Sequence, residues 1–544
     1  MWGSGELISK LAVLLLLASC LKLSLAQQRG KWVPLLNNSG VSAMHTILTH
    51  TNKVIIFDQT TAGPSEIMRT DPPCNENPES EAEDCTAHSV EYDIATDSVR
   101  PLHILTDTWC SSGSFDSDGL LVQTGGWSTG EKVIRNFKPC DDSICDWVET
   151  STTLARKRWY SSDQILPDGR IIIVGGRATF SYEFVPKQPG ESVFRLPFLA
   201  DTNTVGEQNN LYPFTHLSSD GNLFIFANKD SILLDYNKNN VVRTFPTMPG
   251  GGARNYPSTG SSVMLPLDPA NDFQTVEILV CGGAPDGAFK QADQDEIFVD
   301  ALKSCGRIVI TSENPEWRME DMPGPRVMGD MLILPTGEIL IINGAKEGTA
   351  GFQSARKPAL SPLLYRPEED LGNRFTVLAA SKIPRMYHST ANVLPDGRVF
   401  VGGSNSNGRY RFSGVFFPTE LRLEAYIPYY LDSSFNSMRP NITLLSTREI
   451  KYGTQFTLVF SVATLQNIEF NAYAPPFTTH SWSMNQRFLW LDAASKVADQ
   501  ATDGSYSVKV TAPPSAVAAP SGYYLFRVVN GGIPSSAEWI RFIQ

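Results

Sequence analysis

The sequence predicts an all-β protein in which a seven-bladed kelch-type β-propeller is followed by an immunoglobulin-like β-sandwich. Three observations support this fold class. The 544 residues include 41 Gly and 36 Pro, which indicates many turns. A short strand that ends in a glycine pair recurs before residue 431, and helical periodicity is sparse after the first 26 residues.

Composition and charge limit the classes of function. With 42% hydrophobic and 19% charged residues, the chain has the composition of a globular protein rather than of a disordered one. The formal net charge is −12. A surface of that sign repels phosphate backbones, so we expect no nucleic-acid partner.

Residues 1–26 are predicted to be a secretory signal peptide. Lys10 precedes an apolar run at 11–18, and Ser24-Leu25-Ala26 supplies the small residues of a cleavage site. No later segment is long and apolar enough for a transmembrane helix, so we expect a secreted, extracellular monomer without a membrane partner after cleavage. The alternative is an uncleaved anchor. Two sequons predict glycosylation at Asn37 and Asn441.

The cysteine count is odd once Cys20 is removed with the signal peptide. An exported chain lies in an oxidising compartment, where cysteines pair. Proximity in sequence predicts the disulfides Cys74–Cys85, Cys140–Cys145 and Cys281–Cys305. Cys110 is left over, as either a buried free thiol or a residue covalently engaged with a group other than cysteine.

The propeller prediction rests on the recurring unit, which is a polar turn, often Asp-Gly, then a β-branched strand and a small pair. Its copies are at residues 52–57, 118–126, 168–176, 220–227, 276–283, 336–344 and 396–403. The spacing is mostly close to the ~50-residue kelch period, in which each repeat is one four-stranded blade. Because one blade cannot bury both of its faces, blades stack radially. The predicted propeller covers residues 40–431.

The pattern changes from about residue 432 onward. After a linker at 437–440, alternating strands at 455–460, 505–510 and 522–529 follow without glycine pairs. Short alternating strands with turn signals predict an immunoglobulin-like sandwich over residues 437–544.

Two loops that precede Asp-Gly turns are alike. They are Arg158-Trp159-Tyr160-Ser161-Ser162 and Arg385-Met386-Tyr387-His388-Ser389, and Arg254-Asn255-Tyr256-Pro257-Ser258 is a weaker third copy. Equivalent loops of a propeller converge near its axis, so we expect Tyr160, Tyr387 and His388 to meet there.

A second imidazole could join them. The chain has only seven histidines, and His480 lies in an aromatic-rich loop that a long hairpin could insert into the channel. Two imidazoles and two phenol oxygens suit tetragonal Cu(II) better than structural zinc or calcium. The alternative is a purely structural role for these tyrosines and histidines.

Four segments resemble those of the copper radical oxidases, and the glyoxal oxidase branch more than galactose oxidase. They are Trp109-Cys110, Arg158-Trp159-Tyr160, Arg385-Met386-Tyr387-His388-Ser389, and Thr479-His480-Ser481 with Gln486-Arg487. The resemblance covers residues from about 40 to 544. No carbohydrate-binding domain separates the predicted signal peptide from the predicted propeller, which favours the glyoxal oxidase branch.

The resemblance implies a site and a reaction. Cys110 would be bonded through sulfur to the ring of Tyr160, which would carry a radical and, with Tyr387, His388 and His480, bind one copper ion. Tyr387 would also be the general base. The implied reaction oxidises a small hydrated aldehyde to a carboxylic acid and reduces O2 to hydrogen peroxide.

Two alternatives remain open, namely a primary alcohol oxidase acting on sugars or wall polysaccharides and a non-catalytic secreted kelch scaffold. Galactose oxidase places a Ser-Trp after the glycine pair, where the indole covers the radical ring. This chain has Arg177-Ala178-Thr179-Phe180 after Gly175-Gly176, which argues against hexose specificity. Arg177 or Phe180 could shield the radical instead. Arg177 could also orient an oxygen-rich aldehyde or be an ordinary surface residue.

Overall fold

The computed structural model describes residues 29–70, 73–76, 83–493, 499–500 and 504–544. The predicted signal peptide lies outside the described residues. Within them, strands dominate and the α-helices are α1 (Pro197–Asp201) and α2 (Ala288–Gln294), which confirms the all-β class. Short 3-10 helices lie at Thr60–Ala62, Ser128–Gly130, Pro269–Asn271, Tyr429–Leu431 and Ser433–Met438. No helix in this part of the chain is long and apolar enough to cross a membrane.

The described residues before Pro428, together with two strands from residues 477–484 that join sheet 1, form seven antiparallel sheets of four or six strands, numbered here in chain order. Sheet 1 contains Trp482–Met484, Phe477–Thr479, His45–Leu48, Lys53–Phe57, Ser89–Asp93 and Ser98–Leu102. Sheet 2 contains Ser112–Phe115, Leu121–Thr124, Ile134–Phe137 and Trp147–Glu149. Sheet 3 contains Ser161–Ile165, Ile171–Gly175, Ser181–Val185 and Phe194–Arg195. Sheet 4 contains Phe214–Leu217, Leu223–Ala227, Asp230–Asp235 and Asn240–Thr244.

The remaining three sheets follow the same four-strand order. Sheet 5 contains Ser261–Met264, Glu277–Cys281, Ser304–Val309 and Arg318–Asp321. Sheet 6 contains Asp330–Ile333, Ile339–Ile342, Leu363–Tyr365 and Phe375–Val377. Sheet 7 contains Thr390–Val393, Val399–Gly402, Leu423–Ile427 and Lys31–Leu36. Short two-stranded ribbons pair Asn75–Glu76 with Glu83–Asp84, Gly252–Ala253 with Ala284–Pro285, and Ala345–Gly348 with Ala355–Pro358. The count of blades stays a prediction.

The predicted repeat coincides with one strand of each sheet, namely Lys53–Phe57, Leu121–Thr124, Ile171–Gly175, Leu223–Ala227, Glu277–Cys281, Ile339–Ile342 and Val399–Gly402. These strands are buried almost throughout, because side chains on both of their faces pack against other elements; examples are Ile171–Gly175 and Leu223–Ala227. The glycines after them allow close approach of the backbone. A Cβ on Gly125 would lie 2.0 Å from the carbonyl oxygen of Arg158, and one on Gly403 would lie 2.3 Å from that of His388. The glycine pairs therefore make room for the loops that carry the predicted site.

Sheet 7 is completed by a strand from the start of the described chain. Lys31–Leu36 pairs antiparallel with Leu423–Ile427, so the first and last strands of this region lie side by side. The predicted start of the propeller at residue 40 leaves this strand out. It escapes the sequence pattern because it carries neither the Asp-Gly turn nor the glycine pair that marks the repeat.

The region after Pro440 forms two further sheets. One contains Asn441–Leu445, Gln455–Ser461, Ser505–Thr511 and Asp499–Gln500. The other contains Glu449–Lys451, Glu538–Ile543, Gly522–Asn530, Ile468–Ala474 and Arg487–Leu491, with Ile533–Pro534 added beside Gly522–Asn530. Phe456, Leu458 and Phe460 alternate inward along one strand and belong to the core, as a sandwich requires.

The described part of the chain contains three disulfides, Cys74–Cys85, Cys140–Cys145 and Cys281–Cys305, in the pairing that proximity predicts. Cys110 takes part in none of them and is buried. Asn37 and Asn441 are both exposed, as acceptors of glycans must be, and their glycosylation stays a prediction.

Candidate functional site

The five side chains predicted to form the site lie together in the structure. The backbone N–H of Tyr160 donates to the carbonyl of Cys110 at 2.9 Å, and Cys110 Sγ lies 3.1 Å from His480 Nε2. The ring centroid of His388 lies 3.8 Å from that of Tyr387 and 4.8 Å from that of His480. All five residues are at most 5% exposed. The roles of these residues stay a prediction.

A buried arginine positions each tyrosine of the repeated loops. Arg158 Nη1 donates to the carbonyls of Gly175 and Ser181 at 2.6 and 2.8 Å, and its guanidinium pairs with Glu183 at 2.9 Å. Arg385 pairs with Glu424 at 2.9 Å and donates to the carbonyl of Gly403. The arginine thus anchors its loop to its own sheet, and the residue two positions later points to the site. This is the physical reason for the Arg-x-Tyr repeat.

We expect Arg158→Met to destabilise the protein by about 3 kcal/mol, because it leaves the Glu183 carboxylate buried without its main counterion. Both side chains are fully buried. The measurement is the free energy of unfolding in denaturant. Lys157→Met is the matched control, since Lys157 is 66% exposed and pairs with Glu131 at the surface, where an ion pair contributes at most about 1 kcal/mol. Equal losses in the two variants would contradict the anchoring role of Arg158.

His480 reaches the site on a hairpin from the region after Pro440. Its strand Phe477–Thr479 pairs antiparallel with His45–Leu48 of sheet 1, and Thr479 Oγ1 donates to the carbonyl of Met44 at 2.9 Å. Gln486 accepts from the N–H of Ile333 at 2.7 Å, which fixes the hairpin against sheet 6. The hairpin is therefore an integral strand of sheet 1, as the predicted insertion into the channel requires.

The electrostatics of the site favour neutral groups. Burial lowers the pKa of His388 and of His480 well below the usual range, so both imidazoles are neutral. Burial also raises the pKa of Tyr160 and Tyr387 well above the usual range. Phenolates therefore require a bound cation in this environment.

The donor set fits a metal ion. A sulfur or nitrogen atom from each of Cys110, His388 and His480 lies within 4.8 Å of the others, and all three residues are buried. Neither ring nitrogen of His388 has a hydrogen-bond partner among the described residues, although the side chain is buried. A buried imidazole without a partner is costly, and a metal ligand bond relieves that cost.

The backbone is strained at four of the five residues. Cys110, Tyr160, His388 and His480 have φ values of 54°, 66°, 63° and 46°, in the left-handed region that non-glycine residues rarely adopt. Each such residue costs on the order of 1–3 kcal/mol and persists only where the surrounding structure imposes it. The strain supports a site whose geometry is fixed in advance.

Neither residue predicted to shield Tyr160 lies on its ring. Arg177 is exposed, with its guanidinium 4.9 Å above the ring of Trp159, and Phe180 packs into a separate core beside sheets 3 and 4. The ring of Tyr160 instead contacts Trp159 at 4.8 Å and Tyr256 at 4.4 Å between centroids. Tyr256 lies in the weaker third copy of the repeated loop, and its Arg-x-Tyr spacing is the sequence signal that identifies it.

The chain matches two known families in succession. Residues 44–430 match the family described as glyoxal oxidase N-terminus, and residues 439–542 match the family described as galactose oxidase-like, Early set domain. Together these matches cover most of the chain. They agree with the change of pattern that the sequence shows near residue 432.

Similar proteins include two plant enzymes. The aldehyde oxidase GLOX of Vitis pseudoreticulata is 47% identical over 526 residues, which cover 96% of this chain and 98% of the relative. The aldehyde oxidase GLOX1 of Arabidopsis thaliana is 45% identical over 529 residues, which cover 94% and 85%. Among solved structures, a fungal alcohol oxidase of the AA5 family in complex with copper has a TM-score of 0.71 at 19% identity, covering 95% of this chain and 100% of that one. This last similarity shows a shared fold.

Proposed function

Since this chain belongs to the glyoxal oxidase family of copper radical oxidases, we propose that it oxidises small aldehydes of the glyoxal or methylglyoxal type to carboxylic acids with a Cys110–Tyr160 thioether radical. The observation that carries the proposal is the convergence of two buried phenols and two neutral imidazoles beside a buried, unpaired cysteine. A binding scaffold has no use for that convergence.

Copper fits two phenol oxygens and two imidazole nitrogens, and its proposed ligands are Tyr160, Tyr387, His388 and His480. Bound copper supplies the second one-electron redox centre that a two-electron oxidation needs, beside the Tyr160 radical. Cys110 and Tyr160 are joined by a backbone hydrogen bond of 2.9 Å, and burial raises the pKa of the Cys110 thiol. A thioether requires the two side chains to be neighbours, which this backbone contact supports.

The overall reaction converts a hydrated aldehyde and O2 into a carboxylic acid and hydrogen peroxide, so the aldehyde hydrate loses two hydrogens and O2 gains them. Tyr387 accepts the substrate hydroxyl proton at its phenol oxygen. The Tyr160 radical takes the hydrogen atom from the substrate carbon at its own oxygen. Burial of both phenols keeps bulk water away from the radical.

We expect Tyr387→Phe to lower the turnover rate ~10²- to 10⁴-fold, because it removes the group that accepts the substrate proton. Tyr387 contributes no atom to the Cys110–Tyr160 linkage, so the linked peptide should still form. Steady-state peroxide release gives the rate, and peptide mapping gives the linkage. A variant with unchanged turnover would rule out Tyr387 as the base.

The test of the proposed function is a peroxide-release screen of the copper-loaded, oxidised protein. Its arms are small aldehydes, primary alcohols and galactose. Peroxide from aldehydes above the other arms supports the proposal, and preferential peroxide from alcohols or galactose would replace it with the alcohol oxidase alternative. If protein shown to hold copper and the thioether releases no peroxide in any arm, the proposed oxidation is refuted and the non-catalytic scaffold is favoured.

The proposal includes the location of the protein, its oligomeric state and its glycosylation. Three disulfides support an oxidising, extracellular location after removal of the signal peptide, where O2 is available. We expect a secreted monomer glycosylated at Asn37 and Asn441. Mass spectrometry of the secreted protein before and after deglycosylation tests both sites.

A further inference from the structure

A third phenol links the two predicted catalytic tyrosines. The hydroxyl oxygen of Tyr256 lies 3.0 Å from that of Tyr160, which donates a hydrogen bond to it, and 3.0 Å from that of Tyr387. The Tyr256 ring also stacks on the Tyr160 ring, with centroids 4.4 Å apart and an interplanar angle of 30°. One side chain therefore contacts both the oxygen and the ring of Tyr160.

The position of Tyr256 is fixed by the same device that positions Tyr160. Arg254 is fully buried and donates to the carbonyls of Gly282 and Ser304 at 2.7 and 3.1 Å. The side-chain amide of Asn255 donates to the carbonyl of Tyr212 at 2.9 Å, which connects the loop to the segment beside Tyr160. The two residues before Tyr256 are thus each anchored by a hydrogen bond to another segment, and together they fix the position of Tyr256.

We propose that Tyr256 is a positioning residue for the oxidation: its hydroxyl sets how readily Tyr160 is oxidised, and its ring covers the Tyr160 ring. This inference rests on the proposed function, because it concerns the radical on Tyr160. It assigns to Tyr256 the cover that neither Arg177 nor Phe180 provides.

The physical argument concerns the charge on the Tyr160 oxygen. A hydrogen bond to a charged oxygen is roughly twice as strong as one to a neutral oxygen. Tyr160 donates to Tyr256 while it carries its proton; as an anion or a radical it has no proton to donate, and the Tyr256 hydroxyl 3.0 Å away becomes the donor. A donor at this oxygen therefore stabilises the reduced, anionic Tyr160 more than it stabilises the neutral radical. Removing the donor therefore lowers the reduction potential of the Tyr160 radical. The radical becomes a weaker oxidant and abstracts the substrate hydrogen more slowly.

The experiment compares copper-loaded, full-length mature protein with its Tyr256→Phe variant, which keeps the ring and loses the hydroxyl. Mixtures of ferricyanide and ferrocyanide set the potential, with ferricyanide accepting one electron from reduced Tyr160, and the optical absorption of the radical gives the midpoint. We expect a lower midpoint potential and a turnover rate lower by about tenfold, the factor that corresponds to a loss of ~1.4 kcal/mol. Copper content and the thioether peptide should be unchanged.

Tyr212→Phe is the matched control. Its ring also contacts Tyr160, at 5.5 Å and 80°, but its hydroxyl donates to the backbone carbonyl of Ser111. Loss of this hydroxyl should leave the midpoint potential at the wild-type value. An equal shift in both variants would show a general packing effect and overturn the role of the Tyr256 hydroxyl.

A second variant, Tyr256→Leu, tests the cover. It removes the ring, so the radical should decay faster in the absence of substrate than in Tyr256→Phe, and equal lifetimes would overturn this part of the inference. A wild-type protein that holds copper and forms no radical would refute the proposed function itself. A wild-type radical with an unchanged potential in Tyr256→Phe would refute only the inference about Tyr256.

Discussion

Cys110→Ser should abolish aldehyde oxidation while leaving the protein folded and able to bind copper. Serine removes the sulfur that the thioether needs, and the unmodified Tyr160 phenol is harder to oxidise. Cys110 is outside the three disulfides and contributes no phenol or imidazole to the predicted donor set. The loss should therefore appear in the radical and in turnover, with copper content unchanged.

Peptide mapping after full reduction and alkylation measures this directly. In copper-matured wild-type protein, the peptides of Cys110 and Tyr160 should remain joined, and in Cys110→Ser they should separate. Tyr160→Phe should give the same separation and the same loss of turnover, because it removes the radical as well as the other half of the linkage. Complete alkylation of Cys110 in active wild-type protein would refute the thioether.

Combined replacement of His388 and His480 by Ala should eliminate copper binding. Both imidazoles are buried and neutral, so each can offer a nitrogen lone pair to a metal. Neither ring nitrogen of His388 has a hydrogen-bond partner among the described residues. Without them the proposed copper ligands are only the two phenols, whose pKa is raised by burial and which cannot hold the ion alone. The copper content measured by metal analysis after dialysis should fall from one ion per chain to none.

His216→Ala is the matched control for this loss. His216 is also a buried histidine of low pKa, but its Nε2 lies 2.9 Å from Ser262 Oγ and its ring packs against Trp482. This variant should keep one copper per chain, at some cost in stability. Full copper content in the double variant of His388 and His480 would refute the predicted ligands.

The fold was predictable where one physical signal repeats. In most sheets the strand of the predicted repeat is buried on both faces and is followed by a glycine that a neighbouring loop approaches closely, so the same residue types recur. The strand Lys31–Leu36 could not be found in this way, because it is at the edge of sheet 7 and is only partly buried. Its partner lies almost 400 residues away, and no local pattern encodes such a pairing.

The site was predictable to a different degree for each residue. The Arg-x-Tyr spacing reflects an anchored arginine, and it was enough to bring Tyr160 and Tyr387 together in the prediction. The same spacing in Arg254-Asn255-Tyr256 has the same cause. In Arg326-Val327-Met328 the arginine is anchored in the same way, by donating to the carbonyl of Ser361 at 2.8 Å, but a methionine takes the place of the tyrosine. The contacts of Arg177 and Phe180 depend on loop conformation, which spacing does not determine.

The hairpin that carries His480 joins the two regions of the chain through the backbone pairing of a strand. Its strand completes sheet 1, and a copper ion held by His388 and His480 would bridge the propeller region and the C-terminal region. Ligand binding stabilises the state that binds, by about 4 kcal/mol at a thousandfold excess over the dissociation constant. Bound copper would thus stabilise the association of the two regions. If the chain is cut between residues 431 and 441, the two fragments should stay associated with the metal and dissociate more readily without it.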